Sequence, residues 1–279
     1  MDYKLPQRTE NSNKSTYGKV LNIAGSDYMT GAGYLSSVSA LKIGCGYCIL
    51  CSGEKVINAV SSQINSVVFA PQNKVCDYIN QADVIEIGCG LGTDMQAVKM
   101  FSKVLDNAYT KTPLVVDADA LNILAQNDFD QIYDFTNKRF EKLVFTPHPK
   151  EASRLLGVTL DEVLSDIEQS ARKITERFNC VTVLKTHRTF ICAPDGREYT
   201  NTTGNNAMAK AGSGDVLTGM ISGLIAQGME IFEASCLGVY LHGLCGDLAK
   251  EKLTRYSVMA EDLISFIPDA VKFHLNNIV

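Results

Sequence analysis

The residues best suited to chemistry lie in the segment AGSGD at residues 211–215, which runs directly into an apolar stretch of helical spacing. Glycines let backbone amides approach an anion closely, and a helix N-terminus adds unpaired N–H groups and about half a positive charge. The segment is therefore typical of a phosphate site. Asp215 would repel a bound phosphate, so its presence indicates a base that takes a proton from a substrate hydroxyl. Alternatively, Ser213 and Asp215 only cap the helix, which leaves the glycines unexplained.

Two other glycine-rich loops follow predicted strands. The loop AGSDYMTGAG at residues 24–33 joins a strand end to a helix start, where open parallel sheets bind their ligands, although a plain strand-to-helix turn explains it equally well. The loop IGCGLG at residues 87–92 matches a dinucleotide fingerprint superficially, but it lacks the acidic residue expected about 20 positions later. The first loop is a candidate ligand site, and the second is only weak evidence for dinucleotide binding.

Polar side chains also follow buried strands. Asp117 and Asp119 end one apolar run, where carboxylates can hold Mg²⁺ through water, orient a polar ligand, or cap the next helix. His148 stands between two prolines in TPHPKE, residues 146–151. The prolines stiffen this loop, so for His148 a contact with a ligand and a purely structural role are equally well supported. The remaining histidines have no such setting.

The spacing of apolar residues predicts the elements that position these groups. A strand at residues 20–24, a helix at 32–43 ending at Gly44, and a strand at 47–51 form a βαβ pattern. A helix is predicted over residues 215–226, with Ser213 capping it. Asp195-Gly196 predicts a hairpin turn. Further strands are predicted at residues 84–87, 114–117, 143–146 and 182–185. The fold class is α/β, with a mostly parallel sheet flanked by helices on both faces.

Composition narrows the classes of function. The 279 residues are 46% hydrophobic and 20% charged, which is typical of a globular chain, and we expect a polar tail at residues 1–16 and one domain at residues 17–279. The net charge of −5 comes without basic clusters, which argues against nucleic-acid and membrane partners. Nine cysteines, mostly in apolar runs, indicate reduced thiols. Residues 1–16 are polar and no segment approaches the roughly 18 consecutive apolar residues of a membrane span, so we expect a cytoplasmic protein. Cys45, Cys48 and Cys51 have iron–sulfur-like spacing, but a strand points successive members to opposite faces.

Taken in order, these segments resemble one family, the ADP/ATP-dependent NAD(P)H-hydrate dehydratases, which form the carboxy-terminal half of the YjeF-type repair proteins. The resemblance covers about residues 20–262 and implies a ribokinase-like fold. It depends on six motifs in the same order, which together are far more specific than any one of them. These motifs lie at residues 24–33, 88–92, 117–122, 146–151, 184–189 and 203–219.

The resemblance also implies roles for individual residues. Asp215 would be the catalytic base, and the amides of residues 212–214 would stabilise the transferring phosphoryl group. The substrate would contact Ala32, Gly90, Gly92, His148 and Asp215. The adenine nucleotide would contact Lys185, Thr186, His187, Arg188, Thr189, Asn205, Gly212, Ser213 and Gly214. Mg²⁺ would be held by the nucleotide phosphates, without direct protein ligands, and would reach Asp117, Asp119 and Glu151 through water.

The implied reaction is repair of a damaged cofactor. ADP or ATP, the co-substrate, phosphorylates the ring hydroxyl of the S form of NADH or NADPH hydrate (NADHX or NADPHX), and elimination then releases phosphate, AMP or ADP, and NAD(P)H. Phosphate is a good leaving group and hydroxide a poor one, so this order is chemically sound. The resemblance further implies a homo-oligomer such as a tetramer. Because residues 1–16 cannot hold the epimerase often fused upstream, a separate NAD(P)H-hydrate epimerase is expected.

Some positions depart from the family pattern. Cys89 replaces a usual proline, residues 186–188 replace small residues, and Lys210-Ala211 stands where Thr-Gly or Lys-Gly is more usual. These departures leave open whether the enzyme uses ADP or ATP. Asp215 and the glycines before it match the family pattern, so we expect the enzyme to be active. The alternatives are a ribokinase-like kinase acting on a thiazole or pyrimidine alcohol, a nucleotide-binding module without catalysis, and a nicotinamide dehydrogenase.

Overall fold

The computed structural model describes residues 1, 3–108, 112–126, 129, 133, 135 and 140–277. Nine strands form one sheet: β1 (Lys19–Ile23), β2 (Tyr47–Ser52), β3 (Val68–Pro71), β4 (Val84–Ile87), β5 (Leu114–Val116), β6 (Leu143–Phe145), β7 (Val181–Leu184), β8 (Phe190–Cys192) and β9 (Glu198–Thr200). Their order is β3-β2-β1-β4-β5-β6-β7-β8-β9. Strands β1 to β7 pair in parallel, and β8 and β9 add an antiparallel edge. The predicted mostly parallel sheet is confirmed.

Helices cover both faces of this sheet. The helices of the described part are α1 (Thr30–Ile43), α2 (Glu54–Ser61), α3 (Val75–Ile79), α4 (Met95–Asn107), α5 (Ala118–Gln126), α6 (Pro149–Leu156), α7 (Leu160–Ser165), α8 (Ile167–Phe178), α9 (Ser213–Ala226), α10 (Ile231–Leu253) and α11 (Ala260–Asn277). Alternate strand residues supply two cores, because successive side chains point to opposite faces. Val20 packs with α1, α9, α10 and α11, whereas Leu21 packs with the helices of the other face, including α3, α4 and α8. No helix in the described residues is both long and apolar enough to cross a bilayer.

The predicted elements agree with the observed ones within a few residues. The strand predicted at residues 84–87 matches β4, and the strand predicted at 182–185 is β7 shifted by one position. The hairpin is confirmed, since β8 and β9 are antiparallel and Gly196 closes the turn by donating its N–H to the Ala193 carbonyl. Gly44 ends α1 with its own N–H bonded to Ala40 and Leu41, as predicted.

Cysteine placement also agrees with the sequence analysis. Cys48 and Cys51 belong to different cores on opposite faces of the sheet, so they cannot share a cluster. All nine cysteines are free thiols, and eight of them are buried. Burial raises the pKa of the Cys51 thiol to about 12, which keeps it protonated and unreactive at neutral pH.

The contact between α1 and α9 requires glycine. A Cβ on Gly219 would lie 2.1 Å from the carbonyl oxygen of Ser36, and a Cβ on Gly223 would lie 2.4 Å from Ile43. The two helix backbones therefore approach closely, and this holds the N-terminus of α9 over the carboxyl ends of the central strands. Helix α9 is almost completely buried, which makes it a rigid support for the residues at its start.

Part of the N-terminal segment lies against the folded body, although the composition of residues 1–16 predicts only a polar tail. Tyr3 and Leu5 are partly buried against the core formed with α11. The Arg8 guanidinium donates a hydrogen bond to the Gly44 carbonyl at the end of α1. A short 3-10 helix, Lys14–Tyr17, then leads into β1.

Candidate active site

Asp215 lies in the first turn of α9, at the carboxyl edge of the sheet. Its carboxylate, the Asp117 carboxylate and the Cys89 thiol all lie within 4.8 Å of one another. Burial, with the Asp117 charge as the second cause, raises the pKa of Asp215 to about 6. A carboxylate with this pKa is mostly ionised at neutral pH and still basic enough to accept a proton from a polarised hydroxyl.

Asp117 is a buried anchor for the site. One of its carboxylate oxygens accepts a hydrogen bond from the Lys185 ammonium at 2.6 Å, and the other accepts one from the Thr218 hydroxyl at 2.7 Å. Burial alone would raise the pKa of Asp117, but Lys185 outweighs it and the net shift is downward. The contacts join the ends of β5 and β7 to helix α9. The role of Asp117 is therefore not limited to a cap of the next helix.

Cys89 and Glu86 form a buried layer behind this anchor. The Cys89 thiol contacts an oxygen of Glu86 and an oxygen of Asp117, each at 3.8 Å. Glu86 is fully buried in β4, and burial raises its pKa to about 8. Its side chain is therefore mostly neutral at pH 7, and the charge that acts on Asp215 comes chiefly from Asp117.

A cavity of about 800 Å³ opens beside Asp215, above β6, β7 and β8. It contains nearly every residue that the sequence assigns to the nucleotide, namely Lys185, Thr186, His187, Arg188, Thr189, Asn205, Ser213 and Gly214. Gly212 does not line it; this glycine precedes α9 in a left-handed conformation with φ of 88°. A Cβ on Gly214 would lie 3.4 Å from the Lys185 ammonium. The helix N-terminus and Lys185 thus present positive charge to the same point, as an anion site requires.

One prediction for this loop is wrong. Ser213 does not cap α9: Gly212 occupies the cap position, and no side chain bonds to the helix start. The Ser213 hydroxyl instead lies 3.5 Å from Nε2 of His242. The cap was misplaced because a glycine in the left-handed conformation ends the preceding loop one residue earlier than the Ser/Asp pattern indicates.

His242 is a cavity residue that sequence reasoning missed. It lies inside α10 and lines the cavity, and burial lowers its pKa to about 4, so the imidazole is neutral. It has no flanking prolines or glycines, and no local pattern separates it from a core residue. Asp247, also on α10, was missed for the same reason. Its carboxylate accepts hydrogen bonds from the Gly204 N–H at 2.9 Å and from the Asn205 side chain at 2.8 Å.

His148 combines a structural role with exposure to the cavity. Its Nδ1 accepts hydrogen bonds from the N–H groups of Lys150 and Glu151, both at 3.1 Å, and so caps α6. The Glu151 carboxylate in turn accepts a hydrogen bond from the His148 N–H at 2.8 Å. Because Nδ1 is an acceptor, the proton of the neutral ring is on Nε2. Burial lowers the pKa of His148, which favours that neutral form, while the ring still lines the nucleotide cavity.

The remaining substrate candidates, Ala32, Gly90 and Gly92, do not line the nucleotide cavity; Ala32 and Gly90 meet each other. A Cβ on Gly90 would lie 2.6 Å from the Cβ of Ala32, so only glycine lets these two loops meet. The Gly92 N–H donates to the Asp119 carboxylate at 2.8 Å, which fixes the loop and leaves open space above Gly92. Asp119 therefore ties loops together and does not simply cap α5.

The three carboxylates considered for Mg²⁺ already have protein partners. Both oxygens of Asp117 accept hydrogen bonds from side chains. Asp119 accepts one from the Gly92 N–H, and Glu151 accepts one from the His148 N–H. The thiol beside Asp117 is also a poor ligand for this hard cation. These contacts are compatible with an ion that is bound to the nucleotide phosphates and that the carboxylates reach through water.

The order of strands and the position of the site define a class of protein. At the carboxyl edge of this α/β sheet lies a helix N-terminus suited to binding phosphate, and a carboxylate lies in its first turn. This combination is typical of a ribokinase-like enzyme. A ribokinase-like superfamily protein from Enterococcus faecalis superimposes with a TM-score of 0.88 at 29% identity, covering 97% of this chain and 92% of that one. The fold is therefore ribokinase-like.

The sequence comparisons identify the family. The family model for NAD(P)H-hydrate dehydratase matches residues 20–269, so the chain belongs to the NAD(P)H-hydrate dehydratase family. An ADP-dependent (S)-NAD(P)H-hydrate dehydratase from Neisseria meningitidis is 38% identical over 88% of this chain and 81% of its own length. A bifunctional NAD(P)H-hydrate repair enzyme from Moorella thermoacetica is also 38% identical over 95% of this chain, which spans about half of that longer protein, 51%.

A solved relative has the same fold in the presence of nucleotide. The ADP/ATP-dependent NAD(P)H-hydrate dehydratase from Bacillus subtilis, co-crystallised with ATP and Mg²⁺, has a TM-score of 0.85 at 32% identity. The alignment covers 96% of this chain and 94% of that one.

Proposed function

We propose that the chain dehydrates the S form of NAD(P)H hydrate back to NAD(P)H, using ADP or ATP. The observation that carries this proposal is the position of Asp215, which directly follows the cavity residues Ser213 and Gly214 and lies within 4.8 Å of Cys89 in the Gly90 loop. A base in that place can reach a hydroxyl on one side and a phosphoryl group on the other. The family match supplies the identity of the hydroxyl compound.

The first step is phosphoryl transfer. Asp215 accepts the proton of the ring hydroxyl, whose oxygen forms a bond to the terminal phosphorus while the bond from that phosphorus to the bridging oxygen breaks. AMP leaves from ADP, or ADP leaves from ATP. In the second step the C–O bond of the new phosphoester breaks, phosphate leaves, and the neighbouring ring carbon loses a proton. The double bond of the reduced nicotinamide is then restored.

The chain's own residues stabilise the charge that develops in the first step. The N–H groups at the start of α9 and the Lys185 ammonium face the transferring phosphoryl group, where a preorganised positive potential favours the transition state. Lys185 is held there by Asp117 at 2.6 Å. Mg²⁺, when bound to the nucleotide, would neutralise its phosphates, with Asp119 and Glu151 reaching it through water.

The proposal extends to the surroundings of the enzyme. The buried, free thiols support a cytoplasmic location. We expect a homo-oligomer such as a tetramer, and an epimerase that converts the other hydrate epimer, because the Neisseria relative is named for the S form alone.

The test measures two products together. Purified protein is mixed with NADH hydrate, Mg²⁺ and either ADP or ATP, and reduced-nicotinamide absorbance and phosphate release are followed. We expect both signals to rise in a one-to-one ratio. Asp215→Asn should lower kcat by roughly 10²–10⁴-fold, the usual contribution of a general base, while nucleotide binding is largely retained.

Asp161→Asn is the matched control, because Asp161 is exposed on α7, away from the site residues. It should behave as wild type. Turnover retained by Asp215→Asn would contradict the base assignment. A stable phosphoester without NADH would instead identify a small-molecule kinase, for which thiazole and pyrimidine alcohols are the substrates to screen.

A further inference from the structure

Three buried polar atoms in the described part of the chain lack a hydrogen-bond partner, and they belong to one region of the core. They are Oδ1 of Asn22 on β1, Oε2 of Glu86 on β4 and Oγ of Ser222 on α9, and all three side chains are fully buried. Asn22 and Glu86 are partners in the parallel pairing of β1 with β4, so their side chains lie side by side on one face of the sheet. Buried polar atoms are almost always hydrogen-bonded, so this group requires an explanation.

The amide group of Asn22 has a fixed orientation. Its Nδ2 donates to the hydroxyls of Ser36 and Ser37 at 2.7 and 2.9 Å. The Ser36 hydroxyl gives its own proton to the Ala32 carbonyl at 2.8 Å, so towards Asn22 it acts as an acceptor. The amide nitrogen therefore points to α1, and Oδ1 is an acceptor that needs a donor from elsewhere.

Glu86 supplies that donor when its carboxyl group carries a proton. An ionised carboxylate only accepts, and would leave both Asn22 Oδ1 and Glu86 Oε2 without a partner. A proton on Oε2 joins the two oxygens and satisfies both. Burial, together with the negative charges of Asp117 and Asp215, raises the pKa of Glu86 to about 8. The other titratable groups that face Glu86 are the buried thiols of Cys45, Cys48 and Cys89.

The neutral state of Glu86 determines where the Cys89 thiol directs its single proton. Three carboxyl groups lie near the sulfur: Glu86 and Asp117 each have an oxygen at 3.8 Å, and Asp215 lies within 4.8 Å. Both oxygens of Asp117 already accept hydrogen bonds from other side chains. A neutral carboxyl group is a weaker acceptor than a carboxylate. The ionised Asp215 is therefore the favoured acceptor of the thiol proton.

The thiol acts on Asp215 together with the charges around it. Burial raises the pKa of Asp215, and the hydrogen bond from the Cys89 thiol opposes that rise. Asp117 and Asp119 also raise the pKa of Asp215, whereas Lys185 lowers it. Cys89 is thus an uncharged group that favours the ionised, basic form of Asp215.

Building on the proposed function, in which Asp215 is the base, we propose that Cys89 is a positioning residue whose S–H donates to the Asp215 carboxylate and fixes its orientation. Glu86, held as a neutral acid by Asn22, leaves the thiol proton free for this contact. An ionised Glu86 would compete for the same proton and would add a negative charge behind the base.

The first test removes the donor and then restores it. Cys89→Ala should move the acidic limb of kcat/KM up by roughly half a pH unit, because the carboxylate loses a hydrogen bond. Cys89→Ser keeps a donor and should return the limb to the wild-type position or below it. The matched controls are Cys51→Ala and Cys51→Ser, since Cys51 is equally buried but lies in the core that contains α3 and α4, and these should leave the limb in place. A limb that Cys89→Ala does not move, or that both Cys89 variants move equally, would overturn the inference.

The second test concerns the proton on Glu86. Glu86→Gln keeps a donor for Asn22 and an acceptor for the thiol, so the acidic limb should not move; a charged Glu86 would instead predict a downward shift. Because the folded-state pKa of Glu86, about 8, lies above its ordinary 4.5, its contribution to stability is complete below pH 4.5 and is lost as the pH rises to 8. Wild type should therefore lose stability relative to Glu86→Gln across that range. A difference between the two that does not change with pH would refute the neutral acid.

Both assignments are also measurable without turnover. Carbon NMR titration of labelled carboxyl groups in the substrate-free protein should show the pKa of Asp215 raised in Cys89→Ala and restored in Cys89→Ser. Chemical denaturation at several pH values gives the stability comparison for Glu86→Gln. Absence of turnover with every hydrate would reject the proposed function, and these two measurements would still decide the contacts of Cys89 and Glu86.

Discussion

At the scale of single residues, the site is an arrangement of charges around Asp215. Asp117 raises the pKa of Asp215 and Lys185 lowers it, while Glu86 behind them is mostly neutral at pH 7. The two charged neighbours are themselves an ion pair of 2.6 Å. Each therefore limits the effect of the other on the base, and removing either one should move the pKa of Asp215 in a predictable direction.

This balance predicts opposite shifts in the pH profile. Asp215 acts as a base only when ionised, so kcat/KM should rise with pH through about 6 and then level off. Asp117→Asn removes a negative charge and frees Lys185, and should move this acidic limb down by about one pH unit. Lys185→Met removes the positive charge and should move it up. Both variants will be slower, so the position of the limb is the measurement; a shift of both in the same direction would contradict the assignment.

The sequence predicted part of this arrangement. Asp215 and His148 were singled out because each lies in a local motif of glycines or prolines, whereas Lys185 was assigned through the family resemblance. The contact between Asp117 and Thr218 joins positions 101 residues apart, and His242 reaches the cavity from inside a helix. Such contacts depend on how elements pack. Local sequence patterns do not determine them.

At the scale of elements, the close packing of α1 and α9 positions the catalytic helix. Asn22 on β1 supports the same region, since its side chain donates to Ser36 and Ser37 of α1 at 2.7 and 2.9 Å. The sequence predicted both helices from their apolar spacing. It gave no sign that they would approach so closely, because a glycine inside a helical pattern is equally compatible with a merely weakened helix.

Gly219→Ala should show what this contact contributes. The new methyl group would lie 2.1 Å from the Ser36 carbonyl, which is backbone and cannot simply rotate away. We expect a loss of about 1–3 kcal/mol in the free energy of unfolding, typical of overpacking, and a lower kcat as α9 shifts. Gly31→Ala in α1 is the control, because its Cβ meets nothing within 4 Å and alanine favours the helix. Equal stability of the two variants in chemical denaturation would contradict the packing argument.

At the scale of the whole molecule, the carboxyl ends and the amino ends of the parallel strands have different functions. The carboxyl edge carries the nucleotide cavity and Asp215. The amino edge is covered by the N-terminal segment, where His274 on α11 lies with its Nε2 3.0 Å from the Tyr3 carbonyl oxygen and Arg8 bonds to Gly44. The polar composition of residues 1–16 concealed this role, because only Tyr3, Leu5 and a few others carry the contact.

Deleting residues 1–8 should therefore separate stability from activity. The deletion exposes the apolar surface beneath Tyr3 and Leu5 and removes the Arg8 bond, which should cost about 2 kcal/mol. For a chain of this size that loss lowers Tm by about 4–8 °C, as measured by calorimetry. Because the contact is at the amino edge, kcat at a temperature well below Tm should stay unchanged. A large fall in kcat with an unaltered Tm would show that the segment acts on the site and does not serve the fold.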